Sequence, residues 1–466
     1  MFSSLIWMPL LIILIFINFF ISLNIKSNKP LLISSLFLNL GIILYYKYSI
    51  FLKNIIEEKF LHLSFVIPLG ISFYTFNQIA YLMDCYNGKI KKPRFINFLF
   101  IIIYFPHLIA GPFLRYKSII TQIKNGNYFS ISKKKIYFGL IIFTLGLSKK
   151  IFIADEIGYY ADNFFNSVAN GNQPQFLISW LGSLSFLFQL YFDFSAYSDM
   201  AIGISLLFGI ILPINFNSPL KSTSIIEFWQ RWHITLTNLI FEFLYVPIAT
   251  SLVRFTNFLK INDTNINFFT TLIIPLFLSF LIIGIWHGGT SNYLYFGLIN
   301  GCFIILNHIW RVKIKKKIII NENYDIKFKF VYWFITFICI LISMVFFRSE
   351  SAELGLKVIK GMLGFYGAGF PEQLKNILPF LKNYQSGIVG ISNRYSFDYL
   401  LFLLGVCFFV SLSCKNLNNL SLNFIDKNLD INKNIFCKKF SFLIGILLFL
   451  CIVSLNKNSS FLYFNF

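Results

Sequence analysis

The sequence predicts an all-α, polytopic membrane protein, and three observations carry that prediction. Of 466 residues, 57% are hydrophobic, 20% aromatic and only 13% charged, whereas soluble domains carry about a quarter charged residues. Apolar runs that approach or exceed the ~20 residues of a bilayer crossing recur along the chain. Lysines and arginines gather in the short connections between those runs, as the positive-inside bias produces. The same placement excludes nucleic-acid binding as the meaning of the net charge of +21, because the basic residues do not share one face of a domain.

Apolar segments fall at roughly 5–23, 31–51, 63–83, 96–113, 136–153, 176–192, 198–212, 236–250, 268–287, 293–310, 330–347, 399–412 and 440–455. Several are too short to cross alone, so about ten to twelve crossings are expected, with re-entrant or interfacial helices between them. No fixed-period repeat or soluble module interrupts the chain, and a single membrane-embedded domain over 1–466 is expected. The first run has no Lys or Arg ahead of it and meets its first basic residue at Lys26. A signal peptide shows the reverse order, so this run reads as a retained helix with its N-terminus outside. Lys89, Lys91, Lys92 and Arg94, then Lys133 to Lys135, then Arg311, Lys313 and Lys315 to Lys317 mark cytoplasmic connections. Asp155, Glu156 and Asp162 without a basic neighbour mark 154–175 as an extracytoplasmic loop. Mixed charge, Gly and Pro in 348–398 leave the side of that connection to helix counting. The seven cysteines show no CxxC or paired spacing and read as small hydrophobes, with neither a disulfide framework nor a metal site.

Polar residues inside apolar runs need a reason. In Ser224-Ile-Ile-Glu-Phe-Trp-Gln-Arg-Trp-His233, Ser224 and Glu227 form a capping-box pattern that predicts a helix start. Glu227 and Arg231 stand at i,i+4, and Trp229, Trp232, His233, Leu236 and Ile240 fall on one helical face. That face suits either an interfacial anchor or the wall of a funnel. The run from Phe268 to Trp286 delivers His287 at its end, followed by Gly288 and Gly289. Ionisable groups in membranes usually serve a pathway or a site, and the plainer alternative is a helix-end histidine at headgroup level. In Gln189 to Asp199, Asp193 and Asp199 interrupt apolar sequence. They could orient a histidine or bind substrate hydroxyls, or they could satisfy donors where a helix is broken. Asp84 and the stretch Pro106-His107 to Gly111-Pro112 are similar cases, and the latter suggests a discontinuous helix lining a cavity.

Some chemistries are missing from the sequence. It holds no GxSxG nucleophile elbow, no GxxxxGK[ST] phosphate loop, no HExxH, and no His with an Asp five residues on.

Taken together, several stretches resemble the membrane-bound O-acyltransferase family, in its bacterial AlgI/PatA-type branch of polysaccharide O-acetyltransferases. They are Gly70 to Phe76, Phe105 to Pro112, Lys149 to Asp155, Gln189 to Gly203, Glu227 to His233, Gly284 to Gly288, Phe346 to Arg348 and Phe461 to Phe466. The resemblance implies a ring of helices around a thin centre where a funnel from outside nearly meets an inner pocket. It implies that His287 is catalytic and that His233 assists or positions. Trp286, Trp229, Trp232, Asp193 and Asp199 become candidate substrate contacts. No bound cofactor is expected, since acetyl-CoA or another acyl thioester would serve as donor substrate. It further implies a polysaccharide acceptor, peptidoglycan before an alginate-like exopolysaccharide, a separate periplasmic esterase-fold partner and a bacterial inner-membrane location. The sequence departs from the pattern at Asn300-Gly301, where relatives often show His-Gly, with His308 nearby out of register. D-alanyl transfer to teichoic acid, as in the related DltB proteins, is the enzymatic alternative. A glycan or acyl transporter is the non-enzymatic one.

Overall fold

The computed structural model describes residues 8–53, 68, 70–124, 132–261, 263–315, 328–370, 396–414, 416, 435–455 and 461–462. All regular structure among these residues is helical, and the protein is a multi-pass membrane protein. Among the described residues, seven helical stretches are long and apolar enough to cross a bilayer, and three shorter apolar helices accompany them. The chain starts with α1 (Met8–Asn24), α2 (Lys29–Lys53), α3 (Ile71–Tyr86), α4 (Phe95–Ile103) and α5 (Tyr116–Lys124). Helix α6 (Lys133–Lys149) runs through a π-turn at Lys150–Ala154 into α7 (Asp155–Ala169), and α8 (Phe176–Leu207) follows. Next come α9 (Ile225–Arg231), α10 (Ile234–Ile240), α11 (Val246–Phe258), α12 (Thr264–Phe268), α13 (Ile274–His287) and α14 (Ser291–Ile309). Helices α15 (Lys329–Arg348), α16 (Ala352–Met362), α17 (Phe397–Ser413) and α18 (Ile435–Val453) complete the order.

Helix α8 is the axis of the core, and residues all round it are buried. Small residues let α6 reach it closely, as membrane helices require where no hydrophobic drive joins them. A Cβ on Gly139 would lie 2.8 Å from the carbonyl oxygen of Gly203, and one on Gly203 would lie 2.7 Å from that of Gly139. The α13–α14 hairpin closes in the same way. A Cβ on Gly284 would sit 2.5 Å from the Tyr293 carbonyl oxygen, and one on Gly297 2.5 Å from that of Phe280. In the N-terminal part, Asn18, Asn39 and Gln78 join α1, α2 and α3 by buried side-chain hydrogen bonds of 2.6 to 3.0 Å. Amides at membrane depth need such partners.

Three local expectations are corrected. The segment 154–175 is not a loop. Ile157, Tyr160, Phe164, Phe165 and Val168 repeat at helical spacing and bury one face of α7. The chain is also unbroken at Asp193 and Asp199, both inside the 32-residue α8. Lys150 Nζ reaches Asp193 Oδ1 at 2.6 Å and Asp155 Oδ1 at 2.6 Å, and Lys149 pairs with Asp199. With their charge matched by α6 and its π-turn, the acids need no helix break. The third correction is the helix expected to run past His233, which ends at Arg231. In the described part of 348–398, α16 forms a helix; Lys316 and Lys317 lie outside the described residues, as do residues 371–395.

The helix-start signal holds: Ser224 Oγ accepts from Glu227 N at 3.1 Å, and Arg231 pairs with Glu227 at 2.6 Å. The return arm of the box differs, because Glu227 Oε2 accepts from Thr223 N at 2.8 Å instead of the Ser224 amide. The first part of the C-terminal aromatic motif is docked on the lysine–aspartate centre. Leu462 N donates to Asp193 Oδ2 at 2.9 Å, and Lys150 Nζ stands 4.6 Å from the Phe461 ring centroid. Residues 463–466 of that motif lie outside the described residues.

Candidate active site

A cavity of about 280 Å³ lies between α8, α9, α10, α13, α14 and α15, and three histidines line it: His233, His287 and His308. It is elongated along the α13–α14 hairpin. On α13 its wall runs from Leu276 to His287, and on α14 from Phe296 to His308. At 1.5 Å per residue each stretch rises about 16 to 18 Å. His287 therefore stands toward one end and His308 toward the other, three residues before Arg311 of the basic cluster. The walls between are largely apolar, with Phe280, Ile283, Ile304, Met344 and Phe347 among them and Gln230, Thr237 and Ser279 as polar exceptions.

His233 reaches the cavity because the backbone breaks there. Trp232 is extended at φ −99 and ψ 129, and His233 follows in the left-handed region at φ 43 and ψ 51. Only a few non-glycine residues adopt that conformation, at a cost of about 1–3 kcal/mol. The surroundings that impose it centre on buried Asn215. The Ile234 amide donates to the Asn215 carbonyl oxygen at 2.9 Å, and Asn217 N donates to the Arg231 carbonyl oxygen at 2.9 Å. The Asn215 side chain does more. Its Oδ1 lies 3.0 Å from His233 Nδ1 and 2.9 Å from Thr235 Oγ1, and accepts from Thr235 N at 3.4 Å. Its Nδ2 donates to Ser198 Oγ on α8 at 3.3 Å.

These contacts decide the tautomer. A backbone N–H can only donate, so the Asn215 atom facing Thr235 is the oxygen, and His233 Nδ1 must carry the proton it gives to that oxygen. Nε2 is left with its lone pair, buried and without a hydrogen-bond partner among the described residues. Aromatic rings hold the imidazole laterally, with the Phe194 centroid at 4.8 Å edge-on and Phe113 at 5.8 Å stacked. The result is a fixed proton acceptor at the cavity wall.

His287 is the last residue of α13. Its imidazole packs among Trp286 at 4.6 Å, Phe347 at 4.9 Å, Phe296 at 5.8 Å and Tyr293 at 6.2 Å between centroids. No hydrogen bond reaches the His287 ring among the described residues. Gly288 is required by space: a Cβ there would stand 2.4 Å from the Tyr293 ring.

Among the candidate substrate contacts, Trp229 and Trp232 line the cavity with both histidines. Trp286 turns the other way, its ring edge-on to Phe76 at 5.4 Å. Asp193 and Asp199 are held by the two lysines and line no wall of the cavity. His107 is buried with Nε2 2.7 Å from the Ile101 carbonyl oxygen, and α4 ends at Ile103 ahead of it, as the Pro and Gly there predict. Asp84 meets Lys89 at 3.6 Å and Arg115 at 3.8 Å. Sequence reasoning passed over Asn215, Thr235 and Phe347, and read His308 as out of register. The only signals were an Asn between apolar residues in Pro213-Ile-Asn-Phe216 and the pairing of Phe347 with the family-like Phe-Phe-Arg stretch.

A helical membrane fold in which two histidines open on one largely apolar cavity is an arrangement that suits acyl transfer within the bilayer. Residues 12–349 match the family model described as MBOAT, membrane-bound O-acyltransferase, and the chain belongs to that family. It is similar to a "Peptidoglycan O-acetyltransferase" of Helicobacter pylori, 32% identical over 99% of this chain and 88% of the relative. A "Probable alginate O-acetylase AlgI" of Pseudomonas aeruginosa is 32% identical over 75% of this chain and 64% of its own length. A "Teichoic acid D-alanyltransferase" of Streptococcus thermophilus is 28% identical over 55% of this chain and 59% of its own length. The chain is an acyltransferase.

Proposed function

We propose that this protein transfers acetyl groups from a cytoplasmic thioester, acetyl-CoA first, toward hydroxyls of an extracytoplasmic polysaccharide across the bacterial inner membrane. The observation that carries the proposal is the single cavity on which His233 and His287 both open. Its far end lies by His308 and the Arg311 cluster, on the side that positive charge marks as cytoplasmic. The donor enters from that end and its thioester carbonyl comes to rest by the histidine pair. His287 is the catalytic group and His233 the fixed acceptor that orients or relays beside it. As the acceptor oxygen bonds the carbonyl carbon, the imidazole takes the hydroxyl proton. As the carbon–sulfur bond breaks, the proton goes to the leaving thiolate. Positioned acid–base catalysis contributes roughly 10²–10⁴-fold; holding donor and acceptor in line supplies more.

Similarity along nearly the whole chain to a peptidoglycan O-acetyltransferase supports peptidoglycan as acceptor, with an alginate-like polymer second. A separate periplasmic esterase-fold protein would complete delivery to the glycan. The test is His287→Ala in the native host, with acetate released from purified wall and exopolysaccharide by mild base. Loss of wall ester is expected; undiminished ester would defeat the assignment of His287. D-alanine esters lost in its place would favour the teichoic acid alternative.

A further inference from the structure

Helix α2 is separated by more than two hundred residues of sequence from the turn that carries His287, and yet two of its side chains grip that turn. Lys47 Nζ donates to the Trp286 carbonyl oxygen at 2.6 Å, and the same ammonium stands 5.1 Å from the centroid of the Trp286 ring. Tyr48 Oη donates to the Gly288 carbonyl oxygen at 3.3 Å. These carbonyls flank His287 on either side.

Chain geometry leaves them in need of donors. Helix α13 stops at His287, and Gly288 is extended at φ −179 and ψ 167. The Trp286 carbonyl therefore lacks the amide that a further helical turn would bring, as the last carbonyls of any helix do. A cation at a helix C-terminus is favourable because the carbonyl ends carry partial negative charge. In apolar surroundings a charge-assisted hydrogen bond is among the stronger ones available. A lysine could cap a helix end anywhere. This one stands at the end of the apolar stretch Lys29–Tyr48, is half-buried, and pairs with no carboxylate among the described residues. Withdrawing a cation from water without a carboxylate partner is costly, so the hydrogen bond it gains at the Trp286 carbonyl matters.

We infer that Lys47 and Tyr48 are positioning residues that clasp the Trp286–Gly288 backbone and fix the direction of the His287 imidazole. The His287 ring has no hydrogen bond of its own among the described residues, so only its backbone and its aromatic neighbours can set its angle. His233 is held by Asn215; the clasp is the counterpart for its partner. The inference rests on the assignment of His287 as the catalytic group, and the experiment separates the two.

Full-length wild type, Lys47→Met, Lys47→Arg, Tyr48→Phe and His287→Ala are purified in detergent. Thiol release from acetyl-CoA, with a soluble peptidoglycan oligosaccharide supplying the acceptor hydroxyl, gives kcat and KM for the donor. Carbethoxylation of His287 and of His233 by diethyl pyrocarbonate is followed by peptide mass spectrometry. Lys47→Met is expected to lower kcat about ten- to a hundredfold, the loss of one charge-assisted hydrogen bond, with KM within about twofold. Lys47→Arg, which can still donate, restores most of it. Labelling of His287 rises severalfold in Lys47→Met and in Tyr48→Phe, while labelling of His233 stays at the wild-type rate. Unchanged labelling of His287 in both variants overturns the inference whatever the turnover does. Raised labelling together with wild-type turnover in His287→Ala keeps the clasp and removes the catalytic assignment.

Discussion

Replacing Asn215 by Leu tests the tautomer argument most directly. Its Oδ1 is the shared partner of His233 Nδ1, Thr235 Oγ1 and Thr235 N. Leucine keeps the branched shape and removes all three interactions, together with the bond from Nδ2 to Ser198 Oγ. Each ordinary hydrogen bond contributes about 0.5–1.5 kcal/mol net, and a buried donor left alone costs about 1–3 kcal/mol. Thr235 Oγ1 keeps its contact with Phe113 N at 3.0 Å and the Asn215 carbonyl still serves Ile234, so the stability loss should be about 2–4 kcal/mol. The effect on turnover arises differently: without an acceptor at Nδ1, nothing holds the proton there, and Nε2 is free to carry it and cease to be a base. Turnover should fall toward that of His233→Ala, a loss bounded by the roughly 10²–10⁴-fold that a positioned acid–base group supplies. The assay is a double-mutant cycle on kcat with Asn215→Leu and His233→Ala. If Asn215 acts through His233, adding the leucine to the alanine background costs nothing more in turnover. Fully additive losses, or wild-type turnover in Asn215→Leu, would refute the reasoning.

Other outcomes follow from the same geometry. Gly284→Val should separate α13 from α14, because its Cβ has only 2.5 Å to the Tyr293 carbonyl oxygen; overpacking costs about 1–3 kcal/mol, read as a lower melting temperature in detergent. Lys150→Met strands Asp193 and Asp155 and should destabilise by about 3–5 kcal/mol, and adding Asp193→Asn should recover part of it in the same melting assay. Ile283→Trp pushes an indole into the cavity one turn before His287, so KM for the donor should rise with little change in melting temperature. Asp199→Asn should leave the chemical step far less affected than His287→Ala does, since Asp199 faces Lys149 and not the cavity; equal losses would return that carboxylate to the list of substrate contacts.

Hydropathy, loop charge and capping patterns are properties of adjacent residues, and they made the membrane class, the helical content and the start of α9 legible in the sequence alone. The two histidines were legible too, because an imidazole at the end of an apolar run is conspicuous wherever the run ends up. Which polar residues serve the cavity was decided by the tertiary structure. Asp193 and Asp199 look like site residues until the π-turn brings Lys150, and the end of α6 brings Lys149, against them from 43 and 50 positions away. His233 sits on a helical stripe in the sequence, and only Asn215, 18 residues earlier, turns the chain out of the helix and sets the ring's proton. Lys47 gives no local sign of its role, for its acceptor lies 239 residues on. Local pattern registers where the chain must be buried. Partners that are distant in sequence, each able to satisfy a charge or a lone pair only after packing, determine what the buried groups can do.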